Sequence, residues 1–330
     1  MLLNNPGPVD QDRLEWTEIP EPSPQDNEIL LRVLYCGICH TDLHTVEGDL
    51  ELIKQPVIPG HQVIGEVVAR GKTVSQYRKG DRVGTTWLYS ACQSCAFCRQ
   101  GKENLCDQAR FTGLHADGGY AEYMVIPADF VVKIPDGFAE IQAAPLLCAG
   151  VIGYRSLKLC EIQPGQKLGL YGFGASAHIA IQIARYWDCE VYVFTRSQEH
   201  RQHALKLGAR WTGTHEERPA VAMDSSILFA PVGTLVPQAL RHLKKGGTLA
   251  INAVHLTPIP ELTYDLLYFE RTLRSVANCT RQDALKLMEL AQKIPLQTDC
   301  EVYPLSEANQ VLRRLKKSEI YGAAVLQISY

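Results

Sequence analysis

The chain has 330 residues, of which 46% are hydrophobic and 21% charged, and its formal net charge is −3. At roughly 150 residues per domain this length predicts two domains, and the composition is that of a globular protein with a large core. The slight negative charge argues against nucleic acid or an anionic membrane as a partner, because both require a basic surface. No apolar run reaches the roughly 18 residues of a membrane span. Residues 1–10 lack the basic and apolar regions of a secretory signal, so we expect a cytoplasmic protein.

The first half of the chain is predicted to be rich in β-strands. After a short proline-rich connector at 19–24, strand candidates lie at 29–35 and 63–69, and turns rich in glycine or proline follow. From about residue 150 the pattern alternates between strands and helices. Strands are predicted at 167–171, 190–195, 226–230 and 248–253. Helices are predicted at 174–187 and 233–243, and a polar helix follows the second strand and ends at residue 207. Such alternation predicts a doubly wound parallel sheet. Helices at 282–292 and 306–317 and a strand at 323–328 follow.

A glycine-rich turn lies between the first strand and the first helix of this α/β region. Gly172 permits a tight turn, Gly174 allows the backbone to approach a pyrophosphate, and Ala177 leaves room for close helix–strand packing. A pyrophosphate would rest on the helix N-terminus, where free N–H groups point outward. A strand-to-helix turn without a ligand is the alternative, but the strand–turn–helix context favours a dinucleotide site.

The end of the second strand bears on the choice of cofactor. NAD-binding proteins place an acidic residue there, which hydrogen-bonds the ribose 2′-hydroxyl. This sequence has Thr195, Arg196 and Ser197 instead. One cation and two hydroxyls suit a 2′-phosphate, so we predict NADP(H) over NAD(H), with a solvated Arg196 as the alternative.

Eleven cysteines in a chain without a secretory signal indicate metal binding or thiol chemistry rather than disulfides. Four of them share one loop with spacings of two, two and seven residues: Cys92, Cys95, Cys98 and Cys106. Four thiolates so close together can complete a tetrahedral structural zinc site. An iron–sulfur cluster is the competing interpretation, but zinc needs no redox partner.

A second, dispersed set contains Cys39, His61 and Cys148. Two thiolates and one imidazole would leave the fourth position of a zinc ion open, as in catalytic sites. The spacing of these residues does not establish that they meet, and each alone is equally compatible with a core or turn position.

The motifs in their order resemble the zinc-dependent alcohol dehydrogenases of the medium-chain dehydrogenase/reductase family. The match runs from residues 36–44 through His61, the four-cysteine loop and Cys148 to the turn at 172–177. The resemblance implies a GroES-like catalytic domain at 1–149 and 277–330, with a structural zinc lobe at 90–108. It also implies a Rossmann dinucleotide-binding domain at 150–276, an active site in the cleft between the domains, and a homodimer or homotetramer.

By this resemblance, Cys39, His61 and Cys148 hold a catalytic zinc, which gives two zinc ions per chain. Zinc would act as a Lewis acid on an alcohol whose hydride passes to the nicotinamide. Thr41 would take the alcohol proton and pass it by the cofactor ribose to His44, although Thr41 and Asp42 can also be helix caps. Asp42 would hydrogen-bond the zinc-ligand histidine.

Further positions are also assigned by the resemblance. His40 would contact the cofactor pyrophosphate, with an ordinary exposed histidine as the alternative. Trp87 and Leu50 would line the substrate pocket, with a plain core position as the alternative for Trp87. One bulky and one smaller wall suggest primary, allylic or aromatic alcohols and their aldehydes. Gln62 departs from the family, which usually has glutamate after the zinc histidine, and we hypothesise a more electrophilic zinc here.

Two other functions share this fold. A zinc-independent quinone or enone reductase would generally lack Cys39, His61 and Cys148, and a non-catalytic nucleotide-binding scaffold would have no need for the pair Thr41 and His44. The zinc stoichiometry discriminates, because two ions per chain indicate the dehydrogenase and one ion indicates either alternative.

Overall fold

The computed structural model describes residues 1–329. It divides into two compact units, one formed by Met1–Cys148 with Asn278–Tyr330 and the other by Ala149–Ala277. Within the described residues, no helix is both long enough and apolar enough to cross a membrane.

The first unit is built mainly from β-strands. Its strands and helices before residue 148 are β1 (Leu2–Leu3), β2 (Leu14–Glu15), β3 (Glu28–Ile38), α1 (His40–Glu47), β4 (Gln62–Arg70), β5 (Arg82–Thr85), β6 (Leu88–Ser90), α2 (Ala96–Arg99), β7 (Arg110–Phe111), β8 (Tyr123–Pro127), β9 (Val131–Lys133) and α3 (Glu140–Ala143).

The second unit alternates strands and helices. Its elements are α4 (Ala149–Leu159), β10 (Lys167–Tyr171), α5 (Ala175–Tyr186), β11 (Glu190–Phe194), α6 (Gln198–Lys206), β12 (Trp211–Gly213), β13 (Met223–Leu228), α7 (Leu235–His242), β14 (Leu243–Ile251) and β15 (Thr272–Ser275). The chain then returns to the first unit with α8 (Arg281–Ala291), β16 (Cys300–Pro304), α9 (Ala308–Lys316) and β17 (Ala323–Gln327).

The main sheet of the first unit has the strand order β16-β17-β3-β4-β5-β9, and β8 also pairs with β3. The antiparallel pair β3 and β4 is central, and its register places Gly37 opposite Gln62. This register carries the end of β3 to the start of β4, where the candidate site begins. Several apolar side chains of β3 and β4, among them Leu31 and Val67, are fully buried in one core.

The six strands of the second unit are parallel and have the order β12-β11-β10-β13-β14-β15. With β10 as the first strand this is the order 3-2-1-4-5-6 of a dinucleotide-binding sheet. Its switch point lies beside β10, where the glycine-rich turn follows. The predicted α/β fold class is therefore confirmed.

The structure shifts two predicted strands and adds others. β13 covers Met223–Leu228 rather than 226–230, because the amides of Phe229 and Ala230 both bond the Tyr171 carbonyl and end the ladder. β14 begins at Leu243 rather than 248, since an early pairing of Met223 with Leu243 carries it across two lysines and two glycines. β12 and the polar β15 were not predicted from the sequence pattern.

Candidate active site and metal centres

Helix α1 is fixed at its start by a reciprocal cap. The Cys39 thiol at the N-cap accepts the Thr41 amide at 3.4 Å, and Asp42 Oδ2 accepts the Cys39 amide at 2.8 Å. Two free helix donors are thereby satisfied. Asp42 is thus a capping residue as one alternative predicted, whereas Thr41 contributes only its backbone to the cap.

His61 enters the same region from the start of β4. Gly60 before it has φ +95°, and a Cβ there would lie 2.4 Å from the Tyr120 ring, so this turn requires glycine. The other oxygen of Asp42, Oδ1, lies 3.0 Å from His61 Nδ1, and both side chains are 2% exposed. This hydrogen bond fixes the ring orientation, so that His61 Nε2 faces Cys39 Sγ at 3.6 Å.

Cys148 completes the group from the end of the first unit's main segment. It follows a 3₁₀ turn over Ala144–Leu147, and its Sγ lies 3.9 Å from Cys39 Sγ. Zinc bonds of about 2.3 Å to sulfur and 2.0 Å to nitrogen at tetrahedral angles require S···S and S···N separations of about 3.8 and 3.5 Å. The observed 3.9 and 3.6 Å fit these edges, so the three side chains suit one zinc ion.

The electrostatics of this group also suit a divalent cation. The hydrogen bond with Cys148 and the charge of His61 hold the pKa of Cys39 well below its ordinary value, although burial opposes them. Burial would lower the pKa of His61, but the Asp42 carboxylate and the Cys39 thiolate outweigh it and raise the pKa to about 10. A thiolate is therefore stabilised here, and an incoming metal ion would displace the remaining protons.

The four-cysteine loop forms a second candidate metal centre. The ligand atoms of Cys92, Cys95, Cys98 and Cys106 lie within 4.8 Å of one another, and Sγ of Cys92 and Cys98 are 3.9 Å apart. Backbone amides donate to three of these sulfurs at 3.3–3.5 Å. Backbone and side-chain hydrogen bonds from Ser94 lower the pKa of Cys92 to about 6. Such donors favour thiolates, and the set fits a closed structural zinc site.

This loop is attached to helix α8 through a buried carboxylate. Glu103 is 4% exposed, and its Oε1 accepts the Arg281 amide at 3.1 Å and the Arg281 Nε at 3.0 Å. Because a charged acceptor satisfies both donors, this contact anchors the lobe. The sequence pattern gave no indication of it.

Thr41 and His44 are three residues apart on α1 and therefore lie on neighbouring positions of one face. Thr41 is buried, whereas the His44 side chain is 27% exposed. His44 Nδ1 lies 2.8 Å from Asp49 Oδ2, a partner that sequence reasoning missed. Gly48, with φ +85°, ends the helix and folds the chain back so that the Asp49 amide bonds the His44 carbonyl. In the sequence, a glycine followed by aspartate directly after the helix was the signal that could have identified this partner.

Trp87 lies near the candidate catalytic zinc ligands. Its ring centroid is 6.4 Å from that of His61 and 4.4 Å from that of Phe111, on which it stacks at an interplanar angle of 22°. Phe111 in turn contacts the His115 ring at 5.3 Å. Phe111 was not singled out from the sequence. Leu50 is half-buried and follows α1.

The glycine-rich turn joins β10 to α5 within the second unit. Gly172 has φ +89°, and a Cβ there would lie 2.8 Å from the Ala230 nitrogen, so glycine is needed on both counts. Gly174 is the N-cap of α5, where an added Cβ would meet open space. Ala177 is fully buried. This geometry provides a helix N-terminus of the kind that receives pyrophosphates.

The carboxyl end of β11 bears the three residues predicted to select the cofactor. The Thr195 amide bonds the Gly213 carbonyl at 2.8 Å, Arg196 is exposed, and Ser197 Oγ caps α6 by accepting the His200 amide at 3.2 Å. His40, predicted to contact the pyrophosphate, is the exposed first residue of α1 in the other unit.

A GroES-like unit with two candidate zinc centres, and a 3-2-1-4-5-6 parallel sheet with a dinucleotide turn, are features of an oxidoreductase. Known proteins support this class. A family model described as the alcohol dehydrogenase GroES-like domain matches residues 25–136, and one described as zinc-binding dehydrogenase matches residues 177–293.

Individual relatives agree with these matches. The chain is 47% identical over 334 residues to a probable alcohol dehydrogenase, AdhA, of Mycobacterium tuberculosis (strain CDC 1551 / Oshkosh), with 99% of this chain and 96% of that protein covered. A cinnamyl alcohol dehydrogenase structure from Sorghum bicolor superposes with a TM-score of 0.86 at 29% identity, covering 94% of this chain and 92% of the other. A structure of CAD from Helicobacter pylori complexed with NADP(H) gives 0.83 at 25% identity, covering 92% and 91%.

The chain therefore belongs to the zinc-type alcohol dehydrogenases of the medium-chain dehydrogenase/reductase family, which confirms the resemblance. Its activity is that of an alcohol dehydrogenase acting on small-molecule substrates.

Proposed function

We propose that the protein is a zinc-dependent enzyme that interconverts primary, allylic or aromatic alcohols with their aldehydes and uses NADP(H) in preference to NAD(H). The observation that carries the proposal is the group Cys39, His61 and Cys148, whose ligand atoms are spaced as the edges of a zinc tetrahedron. These three side chains would hold the ion and would leave it accessible to a substrate.

When bound, zinc would supply Lewis-acid chemistry toward the alcohol, and a nicotinamide cofactor would supply hydride-transfer chemistry. The chain's own residues manage the proton. The Thr41 hydroxyl, buried on α1, accepts the alcohol proton as it gives up its own to the relay. At the end of the relay His44 delivers a proton to solvent, because its ring is partly exposed. Asp49 orients the His44 ring through the 2.8 Å contact to Nδ1.

The zinc stoichiometry tests this proposal. We expect two zinc ions per chain in the wild type, one at each candidate centre, and one ion with no measurable turnover in Cys148→Ser. Cofactor binding should persist in that variant, because the dinucleotide turn lies in the other unit. Cys300→Ser is the matched control, since Cys300 is half-buried and belongs to neither cysteine cluster. Full turnover with one zinc per chain would refute zinc-dependent catalysis at this group.

The cofactor preference rests on Thr195, Arg196 and Ser197 and on the absence of an acid among them. A charged hydrogen bond from Arg196 to a 2′-phosphate would contribute about 1.5–3 kcal/mol, or roughly 10–100-fold in affinity. Arg196→Ala should therefore lower kcat/KM with NADP(H) by that factor and leave NAD(H) nearly unchanged. Arg210→Ala is the control, because Arg210 is exposed before the amino end of β12, away from the carboxyl edge. A wild-type preference for NAD(H) would contradict this part.

The substrate class rests on the aromatic pair Trp87 and Phe111 beside His61. Flat, conjugated substrates stack well on such rings, and similar structures include a cinnamyl alcohol dehydrogenase. We expect cinnamaldehyde and benzaldehyde to have lower KM values than short aliphatic aldehydes, and Trp87→Ala to remove this difference. An unchanged ranking in Trp87→Ala would exclude Trp87 from the pocket.

We also propose a homodimer or homotetramer formed through the second unit. β15 is the edge strand of its sheet, and Tyr264, Tyr268 and Phe269 just before it are 74%, 61% and 40% exposed. Large exposed aromatic side chains near an unpaired edge favour association. Light scattering should give a mass of two or four chains, and Tyr268→Glu should lower it.

A further inference from the structure

Two histidines meet within the second unit, apart from both cysteine clusters. His178 lies in the first turn of α5, where its amide donates to the Gly174 carbonyl at 2.9 Å, and His203 lies in the last turn of α6. Their ring centroids are 4.6 Å apart at an interplanar angle of 74°. His178 is 7% exposed and His203 is half-buried. Two imidazoles on separate helices are thus held together at a partly accessible position.

This pair has the donor chemistry of a transition-metal site. A ring nitrogen of each histidine lies within 4.8 Å of one on the other. Two metal–nitrogen bonds of about 2.0–2.1 Å at a tetrahedral angle need nitrogens about 3.4 Å apart. A small rotation of the half-buried His203 ring can bring the two nitrogens from at most 4.8 Å to this separation. Imidazole nitrogens bind Zn²⁺, Ni²⁺ and Cu²⁺ well, whereas the cysteine clusters favour zinc through soft thiolates.

The surroundings connect this pair to the dinucleotide turn. Phe173, between Gly172 and Gly174, packs edge-on against the His203 ring at 5.9 Å and contacts the His200 ring at 6.5 Å. His200 lies one turn before His203 on α6 and is not a member of the pair. An ion bridging the two rings would therefore link α5 to α6 beside the turn.

We propose that His178 and His203 supply two imidazole ligands of a third metal site for a divalent transition ion such as Ni²⁺ or Zn²⁺, and that its occupation fixes α5 against α6. The site does not depend on the proposed catalytic function, because it uses neither the catalytic ligands nor the residues assigned to the cofactor.

The test is a titration of the zinc-replete, full-length protein with Ni²⁺, followed by calorimetry. The wild type should bind one Ni²⁺ per chain, and its thermal midpoint should rise with Ni²⁺. His203→Gln should weaken this binding at least tenfold and abolish the shift in midpoint. Since His203 is half-buried, this variant should fold, which its thermal midpoint without Ni²⁺ verifies. His178→Gln should behave alike.

The matched control is His200→Gln, which removes a histidine from the same helix and should bind Ni²⁺ as the wild type does. Identical titrations of the wild type and His203→Gln would overturn the proposal, and so would equal loss of binding in His200→Gln. Zinc content and alcohol dehydrogenase turnover, measured on the same samples, should not differ between His203→Gln and the wild type. Failure of the metal site is therefore distinguishable from failure of the proposed function.

Discussion

Replacing Asp42 is the most informative test of the candidate catalytic site, because its carboxylate makes two contacts there. One oxygen accepts the Cys39 amide at 2.8 Å and the other lies 3.0 Å from His61 Nδ1. Asp42→Asn keeps the shape of the side chain, but its single carbonyl oxygen can serve only one of these donors, and its amide group faces the other. Either the cap of α1 or the orientation of the His61 ring is then lost.

The size of the effect follows from these contacts. Loss of a buried hydrogen bond to a charged group costs about 1.5–3 kcal/mol, and changing the partner of a metal-ligating histidine typically lowers metal affinity 10–100-fold. These two ranges agree, because tenfold corresponds to about 1.4 kcal/mol. We therefore expect Asp42→Asn to lower the affinity for one of the two zinc ions by roughly one to two orders of magnitude. Turnover should fall as well.

Competition with a chromophoric chelator measures this affinity, and zinc content before and after dialysis identifies the weakened ion. The chain provides a matched control in Asp283→Asn. Asp283 occupies the same third position of a capping box, on α8, where it accepts the Thr280 amide at 3.0 Å and belongs to neither cysteine cluster. Both variants should lose about 1 kcal/mol of capping stability. Zinc affinity within twofold of the wild type in Asp42→Asn would refute the assigned role of Asp42.

Three further predictions concern stability and cofactor binding. Glu103→Ala removes the buried acceptor of the Arg281 amide and Nε and should lower the free energy of unfolding by about 1–3 kcal/mol in urea denaturation. An unchanged denaturation midpoint would show that this contact does not anchor the lobe. Gly172→Ala, at φ +89° and with its Cβ 2.8 Å from a backbone nitrogen, should weaken dinucleotide binding in a fluorescence titration, and wild-type affinity would contradict the tight turn. The Tyr303 hydroxyl lowers the pKa of Glu301 below its usual 4.5. A lowered carboxyl pKa stabilises the fold above the unfolded value, so the stability difference between wild type and Glu301→Gln should hold from pH 7 to about 4.5 and shrink below it. If this stability difference grew on acidification instead, the Tyr303 hydroxyl would not be lowering the pKa of Glu301.

Some features were predictable because they depend on neighbours in the sequence. The four cysteines of the zinc lobe lie in one loop, Cys92 to Cys106, so the covalent chain itself keeps their sulfurs close. The strand Lys167–Tyr171 was predicted at its observed bounds, since a short apolar run before a glycine turn reflects local propensity. Local signals failed where pairing overrode propensity, as in β14, whose first turn-like residues extend a strand only because β13 lies beside them.

By itself, the sequence determined the fold class, the spacing of the candidate metal-binding cysteines and the dinucleotide turn, because each depends on a pattern of neighbouring residues. Only the tertiary structure decided which distant side chains meet. Cys39 lies 22 positions from His61 and 109 positions from Cys148. The register of β3 with β4, which sets Gly37 opposite Gln62, brings Cys39 and His61 together. The stacking of Phe111 on Trp87 and the contact of the His203 ring with His178 likewise depend on the packing of sheets and helices. Side-chain periodicity predicts which face is buried, but proximity across the chain follows from strand register and packing, which no local pattern contains.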